Sequence, residues 1–205
     1  MKPTIPGFSL GICDQDFWPG IHICQIFDDD AERLNTIYGF LQAGFRANER
    51  GACFSDGLAT GGLSSHLAAE GRSLSELTST GSLTLSGTRE SYFAEDRFDP
   101  DRMVGLLRDF YLESIRRGHP AARVIGEMIP EIERIAGGER LVEYETKVSR
   151  LQRECPVTTV CQYDAHRFGG ATIMAVLKVH PYLLINGAVV ENPLYLQPES
   201  ILDAP

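Results

Sequence analysis

Along most of the chain the apolar positions follow one of two rhythms, and the switches between them mark out the elements. Residues 21–27, Ile-His-Ile-Cys-Gln-Ile-Phe, are rich in β-branched and aromatic types and stop at Asp28-Asp29-Asp30, which offers helix N-caps and an acidic first turn. A strand is therefore expected to run straight into a helix. That helix carries Leu34, Ile37, Tyr38, Leu41 and Phe45 at spacings of three and four and ends near Asn48. A short strand follows at 51–55, then a glycine-rich stretch at 57–62, weak helical segments at 64–70 and 74–78, and an alternating strand at 83–85. Asp99-Pro100-Asp101 supplies a cap, a proline for the first turn and an acidic start to a helix with Met103, Leu106, Leu107, Phe110 and Ser114 on one face. Gly118 and Pro120 stop it.

The second half repeats the alternation. A strand is expected at 122–128, a helix with Leu141, Tyr144, Val148 and Leu151 on one stripe, and a strand at 157–163 so continuous in β-formers that both its faces should be covered. A last helix spans about 170–179 and stops at His180-Pro181; beyond it, 182–185 and 188–190 flank an Asn186-Gly187 turn and read as a hairpin. Residues 1–20, with Pro3, Pro6, Gly7, Pro19 and Gly20 and no periodicity, read as an irregular arm, and 21–205 as one domain without repeats or linkers. Strands alternating with helices predict an α/β fold with a mainly parallel central sheet and helices on both faces. Ligands of such sheets bind beyond the carboxyl ends of the strands, which selects 25–28, 126–128 and 161–164 as the lips of one crevice.

Composition narrows this picture. With 205 residues, 43% of them apolar, the chain can bury a sizeable core and is not a disordered segment. No apolar run approaches the roughly 18–20 residues of a membrane span, and Met1-Lys2-Pro3-Thr4 opens no secretory signal, so a cytoplasmic location is expected. A formal net charge of -9 repels a phosphate backbone, and Arg116-Arg117 suits a helix C-terminus, so direct nucleic-acid binding is not expected. Five cysteines, at 13, 24, 53, 155 and 161, with no close pair point to reduced thiols; Cys24, Cys53 and Cys161 fall in strand-like runs where a thiol packs as a small hydrophobe.

The place where a nucleotide hydrolase would carry its phosphate-binding loop holds Phe27-Asp28-Asp29-Asp30, three carboxylates with no lysine, and the glycine-rich 57–62 stretch also lacks the lysine. Enzymatic NTP hydrolysis is not expected. His22 and Cys24 share one face of their strand, and Cys161 could join them around a transition metal or haem, although three residues fall short of the four ligands of structural zinc and ordinary packing outweighs that reading. Cys161 with His166 or His180 forms only a weak nucleophile–base pattern. Glu127, just past an apolar strand, stands where ligand-ordering acids occur; its alternative is a salt bridge to Arg123 or to a neighbouring helix.

His22-Ile23-Cys24-Gln25-Ile26-Phe27, Arg123-Val124-Ile125-Gly126-Glu127-Met128, Tyr144-Glu145, Cys161-Gln162-Tyr163-Asp164, His180-Pro181 and Glu191-Asn192-Pro193, in that order, give the chain a resemblance to a known family. It resembles the MEDS domain, a sensory domain named for methanogens, methylotrophs and a dichloromethane-responsive repressor. The resemblance implies a degenerate RecA-like fold in which Asp28-Asp29-Asp30 replaces the phosphate loop and Glu127 lies near the place of a water-activating carboxylate. It also implies a non-enzymatic sensor of small molecules, hydrocarbon derivatives among them, that signals to DNA-binding, histidine-kinase or sigma-factor-control modules. Because the 20-residue arm is too short for such a module, output is expected through a separate signalling or transcription-regulating protein, or through self-association as a homo-oligomer. Ile129-Pro130 departs from the family pattern, where an aromatic residue is expected. The candidate pocket has His22, Cys24 and Gln25 on one wall, Glu127 on another, and Cys161, Gln162, Tyr163 and Asp164 on a third, with His180 and Asn192 closing it. No cofactor is expected in this reading; the alternative is a redox or gas sensor holding a metal or haem through His22, Cys24 and Cys161.

Overall fold

In the computed structural model the described residues are 7–58 and 60–203; the first six positions of the expected arm, Ala59 and the last two residues lie outside them. In chain order the elements are β1 (Phe8–Ser9), β2 (Asp16–Phe17), β3 (His22–Phe27), α1 (Asp30–Arg46), β4 (Arg50–Phe54), α2 (Thr60–Ala68), α3 (Leu74–Ser79), β5 (Leu83–Ser86), α4 (Thr88–Tyr92) and α5 (Pro100–Arg116). Then come β6 (Ala122–Glu127), α6 (Leu141–Leu151), β7 (Thr158–Asp164), α7 (Gly170–Leu177), β8 (Tyr182–Ile185), β9 (Ala188–Glu191) and α8 (Glu199–Leu202). The caps act as expected: the Asp29 carboxylate accepts from the Ala31 amide at 2.8 Å to start α1, and Asp99 caps α5 ahead of Pro100.

Seven strands form one sheet in the order β5-β4-β6-β7-β3-β8-β9, parallel throughout except for the antiparallel β8–β9 edge pair. The mainly parallel α/β sheet and the terminal hairpin match the sequence reading. β3 lies among neighbours from the far end of the chain, with Cys24 opposite Cys161 and Gln25 opposite Gln162. Each face of the sheet carries its own core. On one, Ile23, Cys53, Ile125 and Val160 pack beneath Ile37, Phe40 and Leu41 of α1 and Leu63 and Leu67 of α2. On the other, Cys24, Val124 and Cys161 pack beneath Met103 and Leu107 of α5, Tyr144 and Val148 of α6 and Val176 of α7.

The arm is a correction. It is not irregular throughout: β1 and β2 pair antiparallel, and Leu10 between them is fully buried in the α1-side core. A side chain at Gly39 of α1 would strike the Gly11 carbonyl, so the arm lies directly on that helix backbone, and Gly11 itself holds a φ of +73°. Among the described residues no helix is long and apolar enough to cross a membrane.

Candidate functional site

Successive side chains of a strand point to opposite faces, and this divides the expected pocket. His22, Cys24, Cys161 and Tyr163 face α6 and α7, whereas Gln25, Gln162 and Glu127 face α1. The single crevice drawn from neighbouring sequence positions is therefore two buried polar centres on opposite sides of the sheet, with a cleft at the strand ends.

Glu145 of α6 is the hub of the first centre. Its Oε2 lies 3.2 Å from His22 Nε2 and 3.5 Å from His180 Nε2, and it accepts from the Cys161 thiol at 3.4 Å. Its Oε1 accepts from the Tyr163 hydroxyl. His22 Nε2 is also 3.3 Å from Cys161 Sγ, while its Nδ1 meets Ser149 Oγ at 2.9 Å, and Ser149 donates onward to the Val179 carbonyl. His180 directs Nδ1 to the Val176 carbonyl at 2.7 Å; its Nε2, fully buried, has no hydrogen-bond partner among the described residues. Asn192 donates to the carbonyls of Leu177 and His180 at 2.6 and 2.7 Å, so it braces the segment carrying His180 and does not close a pocket.

Burial, followed by the neighbouring His180, pushes His22 down to about 4 against the pull of Glu145, which leaves a neutral ring near neutral pH. Burial also opposes ionisation of Glu145, but His180 and His22 outweigh it and hold the carboxyl below the usual range. Cys161 goes the other way: burial first and Glu145 next push the thiol well up, and Cys24 is raised by the same causes. Cys161 thus meets His22, not the exposed His166, and it does so as a thiol.

The second centre ties α1 to the sheet. Gln162 donates to Gln25 Oε1 at 2.7 Å and to the Arg33 carbonyl, and Gln25 donates to Thr36 at 3.0 Å. Glu127 Oε2 accepts from Ser55 at 2.7 Å and from Arg33 at 3.0 Å, so its carboxylate is engaged by the neighbouring helix. Arg123 was the other candidate partner, but four strand residues separate side chains by roughly 13 Å; Arg123 pairs with Glu49 at 2.6 Å instead. Asp164, half-buried at its strand end, caps the His166 amide.

Beyond the carboxyl ends of β3 and β8 lies a cleft of about 460 Å³, walled by Ile26, Ile173, Leu177 and Leu183 with Asp28 and Asn186 at its mouth. Of the candidate pocket residues only Cys24 lines it. The expected metal set is corrected too: His22, Cys161, Glu145 and His180 bring their ligand atoms within 4.8 Å of one another, and Cys24 is not among them. Sequence reasoning left Glu145, Ser149 and Arg33 out of the site. The signal was there for Glu145, a charge four residues after Leu141 and three before Val148, on the stripe of α6 that should be apolar.

Residues 21–181 match the family described as MEDS, MEthanogen/methylotroph, DcmR Sensory domain. Over 180 residues the chain is 24% identical to the transcriptional repressor DcmR of Methylorubrum extorquens, which covers 87% of this chain but 62% of the repressor, less than two thirds of that relative's length. Among solved structures, a KaiC-like protein from the hyperthermophilic archaeon Pyrococcus horikoshii OT3 is similar with a TM-score of 0.58 at 14% identity, over 87% of this chain and 79% of its own. The flagellar accessory protein FlaH of Methanocaldococcus jannaschii gives a TM-score of 0.52 at 13% identity, over 83% and 76%. At such identities these two likenesses speak for the fold alone, which is RecA-like.

Proposed function

The chain belongs to the MEDS family of sensory domains, and on that premise we propose that it binds a small, largely apolar molecule in the cleft beyond β3 and β8. The cleft carries the reading. Its volume of about 460 Å³ is that of a small-molecule site, its walls are aliphatic, and Asp28, Glu32 and Asn186 supply the few polar groups that would orient one end of a ligand. A short-chain hydrocarbon derivative with a hydroxyl or another hydrogen-bond donor has that chemistry. The role is sensory and non-enzymatic: Cys24, the cysteine on the cleft wall, is held as a thiol by burial and by Glu145, and Glu127 is locked to Arg33.

Ligand binding changes output only through an element that differs between two states. In this reading that element is α7, which gives Ile173 and Leu177 to the cleft and leads directly into the segment carrying His180. The signal passes to a separate protein of transcriptional or kinase signalling, or into self-association, and the five free thiols suit a reducing cytoplasm. Haem does not fit the candidate ligands: His22 and Cys161 are buried 3.3 Å apart, which leaves no space for a macrocycle on either.

The test is ligand-observed NMR of the purified chain with a panel of short-chain alcohols and diols. At least one is expected to bind, and Ile173→Trp, which fills the cleft, should abolish its signal. Binding that is indifferent to Ile173→Trp, or no binding across the panel, would remove the reading.

A further inference from the structure

The four groups gathered on the α6 side of the sheet line no part of the cleft. We propose that His22 Nε2, His180 Nε2, Glu145 Oε2 and Cys161 Sγ bind one divalent transition-metal ion, zinc by their chemistry, in a closed tetrahedral site. Zinc bonds of about 2.0–2.3 Å place the corners of a tetrahedron roughly 3.3–3.8 Å apart. Four of the six separations, 3.2, 3.3, 3.4 and 3.5 Å, lie close to that edge length, and the other two are within 4.8 Å.

A hydrogen-bonded cluster could show similar spacings, but three further observations favour an ion. His180 Nε2 points into the cluster, fully buried, and at 3.5 Å from Glu145 Oε2 it makes no hydrogen bond among the described residues, as a metal-directed lone pair would. Both rings are oriented from behind, His22 by Ser149 and His180 by the Val176 carbonyl, so that each presents Nε2 inward; ligating histidines are held in this way. Tyr163 does the same for the carboxylate by occupying Oε1 and leaving Oε2 free to face the centre. The charges also close. A divalent ion, the Glu145 carboxylate and the Cys161 thiolate sum to zero, which suits a centre without solvent exposure. On binding, the sulfur–hydrogen bond of Cys161 is broken, a sulfur–metal bond forms, and the proton leaves to the buffer; no electron is transferred.

With four protein ligands the site has no open position, which makes it a structural centre joining β3, α6, β7 and the segment after α7. The inference is independent of the cleft, since none of its ligands lines it.

The test uses the full chain, stripped with a chelator and reloaded with Zn²⁺ or Co²⁺ alone. About one ion per chain should survive gel filtration, and the cobalt form should show the intense visible bands of a tetrahedral ion with a sulfur-to-metal charge-transfer band. Cys161→Ser should remove that band, and Ser149→Ala, which releases the His22 ring, should weaken zinc binding roughly 10- to 100-fold. Cys53→Ala, on the opposite face of the sheet, should leave loading unchanged. Folded protein that takes up far less than one ion, a pale six-coordinate cobalt spectrum, or a charge-transfer band that survives Cys161→Ser would each overturn the proposal. Should Cys161→Ser fail to fold, the stoichiometry and cobalt spectrum of the unaltered chain decide it.

Discussion

Arg123 has no exposed surface, and its guanidinium donates to Glu49 and to the Phe40 carbonyl, both at 2.6 Å. Glu49 is buried with it, and Gly44 of α1 makes room, since a side chain there would strike the Arg123 stem. A buried pair of this kind adds little stability over an apolar substitute, yet it is costly to break, because the surviving charge has no solvent to turn to. Arg123→Met should therefore lower unfolding free energy by about 3–5 kcal/mol, whereas Arg123→Met with Glu49→Gln should recover a large part of that loss. Urea unfolding of the two variants beside the parent chain checks both figures. At this scale the sequence was a partial guide. It marked Glu127 just past an apolar strand with Arg123 or a neighbouring helix as its partner, but the actual partners, Arg33 for Glu127 and Glu49 for Arg123, sit 94 and 74 positions away, and no local pattern encodes them.

Between elements, α5 and α6 are fastened by a charged clasp over their apolar stripes. Lys147 bridges Asp101 of α5 at 2.5 Å and Glu143 of its own helix at 2.6 Å, and Arg140 grips Glu143 with two nitrogens. The Arg140 hydrogen bonds, ahead of those from Lys147, bring Glu143 from its ordinary value of 4.5 down to about 2. A carboxyl depressed in the folded state contributes stability at higher pH and loses it as acid titrates the native group. Stability should thus decline as pH falls from 4.5 towards 2, and Glu143→Gln should flatten that decline. Glu143 is 30% exposed, so water screens the clasp and the effect should be about 1 kcal/mol, smaller still in high salt. Denaturant midpoints across that pH range provide the measurement. The elements themselves were legible, because their signals are local: Asp29 and Asp99 start helices, Gly118 ends one, and Asn186-Gly187 turns the hairpin. β1 and β2 escaped notice because two-residue strands carry no periodicity to read.

For the molecule as a whole, the metal centre proposed above links binding to folding. An ion held only by the native chain stabilises it by about 4 kcal/mol when present at a thousandfold over its dissociation constant, which for a chain of this size is a rise of roughly 10 °C in Tm. Chelation should lower the Tm by that order and added Zn²⁺ should restore it, as read by calorimetry. The fold class followed from strand and helix order, and the family from short motifs spread along the chain. The site was less legible, because adjacent strand residues such as Cys24 and Gln25 look like neighbours in sequence and face opposite sides of the sheet. The placing of β3 also bears on how a nascent chain must fold. β3 is made early, yet it pairs with β7 and β8, which leave the ribosome more than 130 residues later. Until then its Ile23, Cys24 and Ile26 have no strand to lie against, and such long-range closure is slow and exposes sticky surface. During synthesis only β4, β5 and β6 of the seven-stranded sheet can pair before β7 arrives, and the yield of soluble protein should depend on chaperones that shield the first strand until the last ones arrive.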